Sequence, residues 1–159
     1  MRSSADMDRP DLAAELSDDA LRLLASDAVA TIATIDADGS PHLSSAWVGL
    51  EDGEIVFGTL PDQRKLRNLR RDPRVAVQLT SDRVNAWGLR EYLVIDGTAR
   101  ITEGGAADLL QRLAHTYIGP DAVFPGMPDP PPGFVTHVRI ERISGVGPWR
   151  ASTGRKEPA

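Results

Sequence analysis

Arg64, Lys65, Arg67, Arg70 and Arg71 put five positive charges into eight residues of a chain whose formal net charge is −5. They lie in the stretch Pro61-Asp62-Gln63-Arg64-Lys65-Leu66-Arg67-Asn68-Leu69-Arg70-Arg71-Asp72-Pro73, whose order predicts a short helix. Proline suits an early helical position and aspartate caps free amides, so Pro61 and Asp62 are start signals. Asp72-Pro73 is a stop, because the residue before a proline is pushed out of the helical region. Leu66 and Leu69, three apart, turn one face to a core. Free amides and the dipole at a helix start attract anions, whereas basic side chains in the first turn oppose that dipole. A bound phosphate would satisfy both, which makes Arg64 and Lys65 candidate phosphate ligands. A solvated basic face is the other reading, and spacing alone does not separate the two.

Other residue types narrow the chemistry. The chain has no cysteine, so disulfides, thiolate metal sites and a cysteine nucleophile are excluded. His42, His115 and His137 have no metal-ligand spacing. Ser44 and Ser45 lie outside a Gly-x-Ser-x-Gly elbow, and neither a Gly-x-Gly-x-x-Gly turn nor a P-loop occurs. Trp47, Trp87 and Trp149 are each a stacking platform or a packing residue. Trp149, beyond the last strand among glycines, is the strongest ligand candidate of the three. Gln78 and Thr80 end a strand, where they either bond a ligand or close a turn.

The elements that must position these residues are mostly strands. A helix opens at Ser17, with Asp18 and Asp19 in its first turn and Leu21, Leu23 and Leu24 as its buried face. Strands are predicted over 28–35, 41–50, 54–58, 74–80, 91–101 and 134–144, with turns at 36–40 and 51–53. Residues 81–88 form a loop or hinge carrying Trp87. Asp96-Gly97 marks a bulge. A second long helix covers 103–117, with Leu109, Leu110, Leu113 and Tyr117 on one face. Residues 119–133 hold six of the twelve prolines and form either a lid or rim of a site or an irregular crossover. Six strands joined mainly by hairpins predict a mainly β fold with inserted helices, an antiparallel sheet closed into a small barrel.

Length fits one domain over 16–149, with flexible ends at 1–15 and 150–159. An acidic pI near 5.1 argues against general nucleic-acid binding. No apolar run is long enough to span a bilayer, and the first residues lack a signal-peptide core, so no membrane association and a cytoplasmic location are expected.

The order of a helix, Thr-Ile-Asp-Ala-Asp-Gly-Ser-Pro-His-Leu-Ser (34–44), a strand ending Phe57-Gly58-Thr59, and Arg64-Lys-Leu-Arg-Asn-Leu-Arg-Arg-Asp-Pro-Arg-Val75 resembles the pyridoxamine 5′-phosphate oxidase-like split β-barrel proteins. It is most similar to their branch of deazaflavin-dependent reductases, which use coenzyme F420. The resemblance runs from about Leu16 to Trp149. It implies a six-stranded, FMN-binding split barrel-like fold, and a homodimer with its cofactor sites at the subunit interface. It implies that His42, Leu43, Ser44, Ser45 and Ala46 line the ring system and that Gly58 and Thr59 hold the cofactor's chain. Lys65 would bind phosphate, with Arg64 beside it and Asn68 one turn on. Gln78 and Leu79 would approach the partner's cofactor, and Trp149 would close the site. The implied activity is hydride transfer from reduced F420 to an unsaturated small molecule. FMN in the same fold, or a non-catalytic binder of a cofactor or planar ligand, remain as alternatives.

Overall fold

The computed structural model describes residues 9–152. The strands are β1 (Ala30–Ile35), β2 (Pro41–Ala46), β3 (Gly49–Glu51), β4 (Glu54–Thr59), β5 (Arg74–Val84), β6 (Arg90–Glu103) and β7 (Phe134–Val146). The helices are α1 (Asp18–Leu24), α2 (Arg64–Arg71) and α3 (Ala106–Tyr117). The fold is mainly β, a split barrel of antiparallel strands in the order β2-β1-β5-β6-β7-β4-β3. Seven strands replace the six expected. The segment 41–50 is broken at Trp47-Val48, because the Val48 peptide turns away to bond the Tyr117 hydroxyl (N···O 3.0 Å) instead of extending a ladder.

That break shapes the barrel. β2 and β3 are neighbours in sequence but lie at opposite ends of the strand order. The short connection between them therefore brings the two edges of the sheet round towards each other. Inward side chains follow the two-residue period of a strand. Ile32, Val77, Leu79, Leu93, Ile95, Val138 and Ile140 are all fully buried and share one core with Phe57, Leu24 and Trp149. A smaller cluster of Val56, Leu109, Leu113 and Val135 lies under α3, with Trp47 and Tyr117 at its margin.

Local signals act as expected at several points. The Ser17 hydroxyl accepts from the Ala20 amide at 3.1 Å and caps α1. Ala20, Leu23 and Leu24 form the buried stripe of that helix. Leu21, expected on it, is exposed because it falls off the i, i+3, i+4 stripe. The β6–β7 register shifts between Asp96 and Gly97, and a Cβ on Gly97 would sit 2.0 Å from the Arg139 carbonyl oxygen. Only glycine lets the two strands approach so closely at this bulge.

Other boundaries move. α2 starts at Arg64 rather than at Pro61-Asp62, since the Asp62 carboxylate accepts from Arg70 at 2.8 Å instead of capping the helix. β5 continues through the expected loop to Val84, and the hairpin tip is tied by Asn85, whose Oδ1 accepts from the amides of Trp87 and Leu89, both at 3.0 Å. Leu12 donates its amide to Ile140 O at 2.8 Å, ahead of a single helical turn over Ala13–Glu15. Of the flexible ends expected at 1–15 and 150–159, residues 1–8 and 153–159 lie outside the described residues.

Candidate ligand site

Among the described residues, four cations of the basic helix have oxygen partners and Lys65 has none. Arg64 grips the Asp36 carboxylate through both oxygens, with Nε 2.9 Å from Oδ1. Arg67 donates to the Asp62 carbonyl oxygen at 3.0 Å, and Arg70 to the Asp62 carboxylate. Arg71 donates to the Ile35 carbonyl oxygen and, at 3.2 Å, to Asn68 Oδ1. Lys65 has no hydrogen bond or ion pair among the described residues. Its side chain is buried, at 5% exposure, with the ammonium 5.4 Å from the centroid of the Phe57 ring. Burial pushes the Lys65 pKa below its ordinary value. A buried cation without an anion is costly to the empty protein.

Lys65 lies in the wall of a cavity of about 270 Å³. The cavity sits in the gap left between β2 and β4. β2 contributes Ser45 and Ala46, β4 contributes Gly58 and Thr59, and the α2 entry contributes Gln63 and Lys65. Leu110 comes from α3, and Val29, Trp47 and Phe124 complete the lining. One end is polar. The Thr59 hydroxyl is buried with no hydrogen-bond partner among the described residues, and Gln63 leaves the start of α2 without a side-chain cap. The other end is aromatic, with Trp47 stacked on Tyr117 (centroids 5.4 Å apart, planes at 12°) and tilted against Phe124 (5.0 Å, 59°). A cation, an orphan hydroxyl and free helix amides at one end fit a phosphate. An aromatic and aliphatic other end fits a flat ring.

The sequence-derived candidates divide around this cavity. Ser45, Ala46, Gly58, Thr59 and Lys65 line it together. Gly58 owes its size to packing, since a Cβ there would meet Ala106 O and Leu110 Cγ, both at 3.3 Å. His42 and Ser44 alternate with Leu43 and Ser45 on β2 and are half-buried, each with one buried polar atom, Nδ1 and Oγ, that has no partner among the described residues. Leu43 points the opposite way and is 66% exposed. By register it continues the row Leu43, Ala33, Ala76, next to Ser45, Thr31, Gln78. That face of β2, β1 and β5 carries no charge in these six positions.

Four candidates are engaged away from this cavity within the chain itself. Arg64 is spent on Asp36, which it holds below the usual carboxylate range with help from Asn68. Asn68 is buried and donates to Asp36 Oδ1 (2.8 Å) and Thr34 Oγ1 (3.1 Å), so it pins α2 to β1 rather than facing the cavity. Leu79 is fully buried in the barrel core. Trp149 is also a core residue, at 4% exposure, and its indole donates to the Tyr92 carbonyl oxygen at 2.7 Å. Gln78 donates to Thr80 Oγ1 at 3.1 Å on the uncharged face.

A larger cavity of about 380 Å³ lies near Trp149, and both of the arginines it takes from the Asp19 side are already paired with carboxylates. Arg83 pairs with Asp19 (3.0 Å) and Glu91 (3.3 Å), and Arg22 with Asp19 (2.6 Å). Trp47, Gln63, Leu110 and Phe124 were missing from the sequence-derived site. The resemblance held no motif for the proline-rich segment, and Phe124 comes to the cavity only through its tertiary contact with Trp47.

The model of the pyridoxamine 5′-phosphate oxidase family matches residues 16–147. The chain belongs to that family. Among solved structures, an F420 reductase matches with a TM-score of 0.66 at 22% identity, over 81% of this chain and 98% of that one. A conserved hypothetical protein from Mycobacterium tuberculosis matches at 0.61 and 24%, over 94% and 86%. A heme binding protein from Mycobacterium smegmatis matches at 0.59 and 27%, over 87% and 55%. These likenesses are of fold. No helix among the described residues of this family member is long and apolar enough to cross a membrane.

Proposed function

We propose that this chain is an oxidoreductase that binds coenzyme F420 and reduces an unsaturated small molecule. The observation that carries the reading is Lys65, a buried cation with no anion among the described residues, beside the Thr59 hydroxyl, which has no hydrogen-bond partner among them either. Lys65, Thr59 and the start of α2 would hold the cofactor phosphate. Ser45, Ala46 and the aromatic end would orient the ring and keep water from it. When bound, the cofactor supplies the hydride. No lining side chain is needed as a nucleophile.

The cavity is smaller than the usual range of about 300–1,000 Å³ for ligand sites. A second copy packed on the uncharged face of Leu43, Ser45, Thr31 and Gln78 would enlarge it. The site is therefore read as one shared between two copies, each covering the other's opening.

FMN is the second reading, and one observation favours it. Arg67, Arg70 and Arg71 are held by the protein's own oxygens, which leaves a single cation for a single terminal phosphate. The fold likeness to an F420 reductase is in keeping with the first reading. A haem suits the lining less, because histidine, cysteine, methionine and tyrosine are absent from it.

Titration of the purified protein with F420 and, separately, FMN decides between them, followed by tryptophan or cofactor fluorescence. Tight F420 and weak FMN binding is expected. The reverse order moves the protein to the flavin reading. Binding of neither removes the functional reading, and binding without turnover of reduced cofactor with any acceptor leaves a non-catalytic binder.

A further inference from the structure

We propose that Phe124 is the selectivity residue of the cavity, held in place by Gln111, and that it admits flat ring bodies while turning away bulky ones. The proposal rests on the reading of this cavity as the ligand site, but its test does not need the cofactor. Phe124 belongs to the proline-rich segment 119–133, the part of the chain for which the resemblance supplied no role.

Gln111, on α3, grips that segment with both ends of its amide. Its Nε2 donates to the Ala122 carbonyl oxygen at 2.8 Å, and its Oε1 accepts from the Phe124 amide at 3.0 Å. Using donor and acceptor together fixes the amide in one orientation. The Phe124 ring then meets Trp47 at 5.0 Å and lines the cavity.

The two aromatic walls differ in how they are held. Trp47 is backed by Tyr117, whose hydroxyl lies 3.0 Å from both Ala28 O and Val48 N, so this wall is tied to the ends of β1 and β2. Phe124 is borne on a crossover outside the sheet and retained by the Gln111 clamp. At 36% exposure its ring stands at the mouth, while Lys65 and Thr59 are buried at the polar end. A change of side chain at 124 therefore alters access along the rings without touching the phosphate end. The two rings touch at 59° and so form one bent wall, in which Phe124 narrows the mouth of a cavity of about 270 Å³ against bulky bodies.

The absence of cysteine makes a direct test simple. Ala46→Cys puts a single thiol into the cavity lining, and Ser45→Cys is the second choice should the first fail to fold. Labelling rates are measured with a small methanethiosulfonate, a flat N-aryl maleimide and a bulky N-adamantyl maleimide. In the parent the bulky maleimide should be at least ten-fold slower than the flat one. Adding Phe124→Ala should raise the bulky rate at least ten-fold while the methanethiosulfonate rate moves less than two-fold. Gln111→Ala should give a partial rise, since the ring remains but loses its clamp. A ratio of bulky to small rates unchanged by Phe124→Ala overturns the proposal, as does a thiol that no reagent reaches. If neither F420 nor FMN binds but the ratio shifts, the wall stands and the cofactor reading falls. If either binds and the ratio does not shift, the reverse holds.

Discussion

Lys65 stacks its ammonium over the ring of Phe57, 5.4 Å from the centroid, at a point where no carboxylate of the described residues reaches it. Phe57 is fully buried, so the contact offers the cation a ring face in place of water. This offsets only part of the desolvation, and the lowered pKa of Lys65 records the remainder.

Lys65→Met should therefore stabilise the empty protein by about 1 kcal/mol, as removal of a functional but uncompensated charge does. Lys65→Ala should weaken cofactor binding by about 1.5–3 kcal/mol, the scale of a hydrogen bond to a charged group. Denaturant unfolding and calorimetric titration check the two effects. A methionine variant that is less stable and binds as well as the parent would show Lys65 to be structural.

The same residue sets a pH dependence. Its folded pKa lies below its unfolded one, so above the folded value the unfolded chain binds more protons and stability rises with pH. The advantage of Lys65→Met should shrink as the pH climbs from the lowered pKa towards about 10.4, the ordinary lysine value. Unfolding midpoints of parent and variant between pH 7 and 10.5 measure this, and parallel curves would contradict it.

At acid pH the sign is opposite. Arg74 holds the Asp72 carboxyl at about 2, and Arg64 holds Asp36 below its usual range. Both contribute stability that is present above the ordinary carboxylate pKa and fades as the pH falls through the folded values. Asp72→Asn should flatten the loss of stability between pH 4 and 2. Because Asp72 is close to solvent, raising the salt concentration should shrink the difference.

Gly97→Ala should cost about 3 kcal/mol or more, because the new Cβ meets the backbone of β7 at 2.0 Å and not a movable side chain. Thermal unfolding gives the value. A cost under about 1 kcal/mol would mean that the β6–β7 bulge relaxes freely.

Leu43→Glu should abolish pairing of two copies and, with it, most cofactor affinity, while leaving the monomer folded. Leu43 is two-thirds exposed, and the row it shares with Ala33 and Ala76 carries no charge on β2, β1 and β5. Sedimentation of parent and variant tests this, and a parent that is already monomeric would remove the shared-site reading.

Much of the chain was legible from its sequence because the deciding physics was local. Alternating apolar residues gave the strands, Ser17 the start of α1, Asp72-Pro73 the end of α2, and Gly97 the bulge. Lys65 and the Gly58-Thr59 strand end, singled out on a basic helix and a quoted motif, fall in the lining of one cavity, whose role as a ligand site is the proposal made above. Tertiary structure decided what depends on partners distant in sequence. Arg64 and Lys65 are adjacent and alike in charge, yet Asp36 reaches Arg64 from 28 positions away and leaves Lys65 alone. Trp149 became a core residue because Tyr92, on another strand, presents a carbonyl oxygen to its indole. The break after Ala46 follows from Tyr117, and the aromatic wall from Gln111 holding a proline-rich crossover. Hydrophobic period and turn chemistry act over a few residues and so can be read along the chain. The pairing of charges and hydrogen-bonding groups across the barrel is fixed only when the sheet has closed.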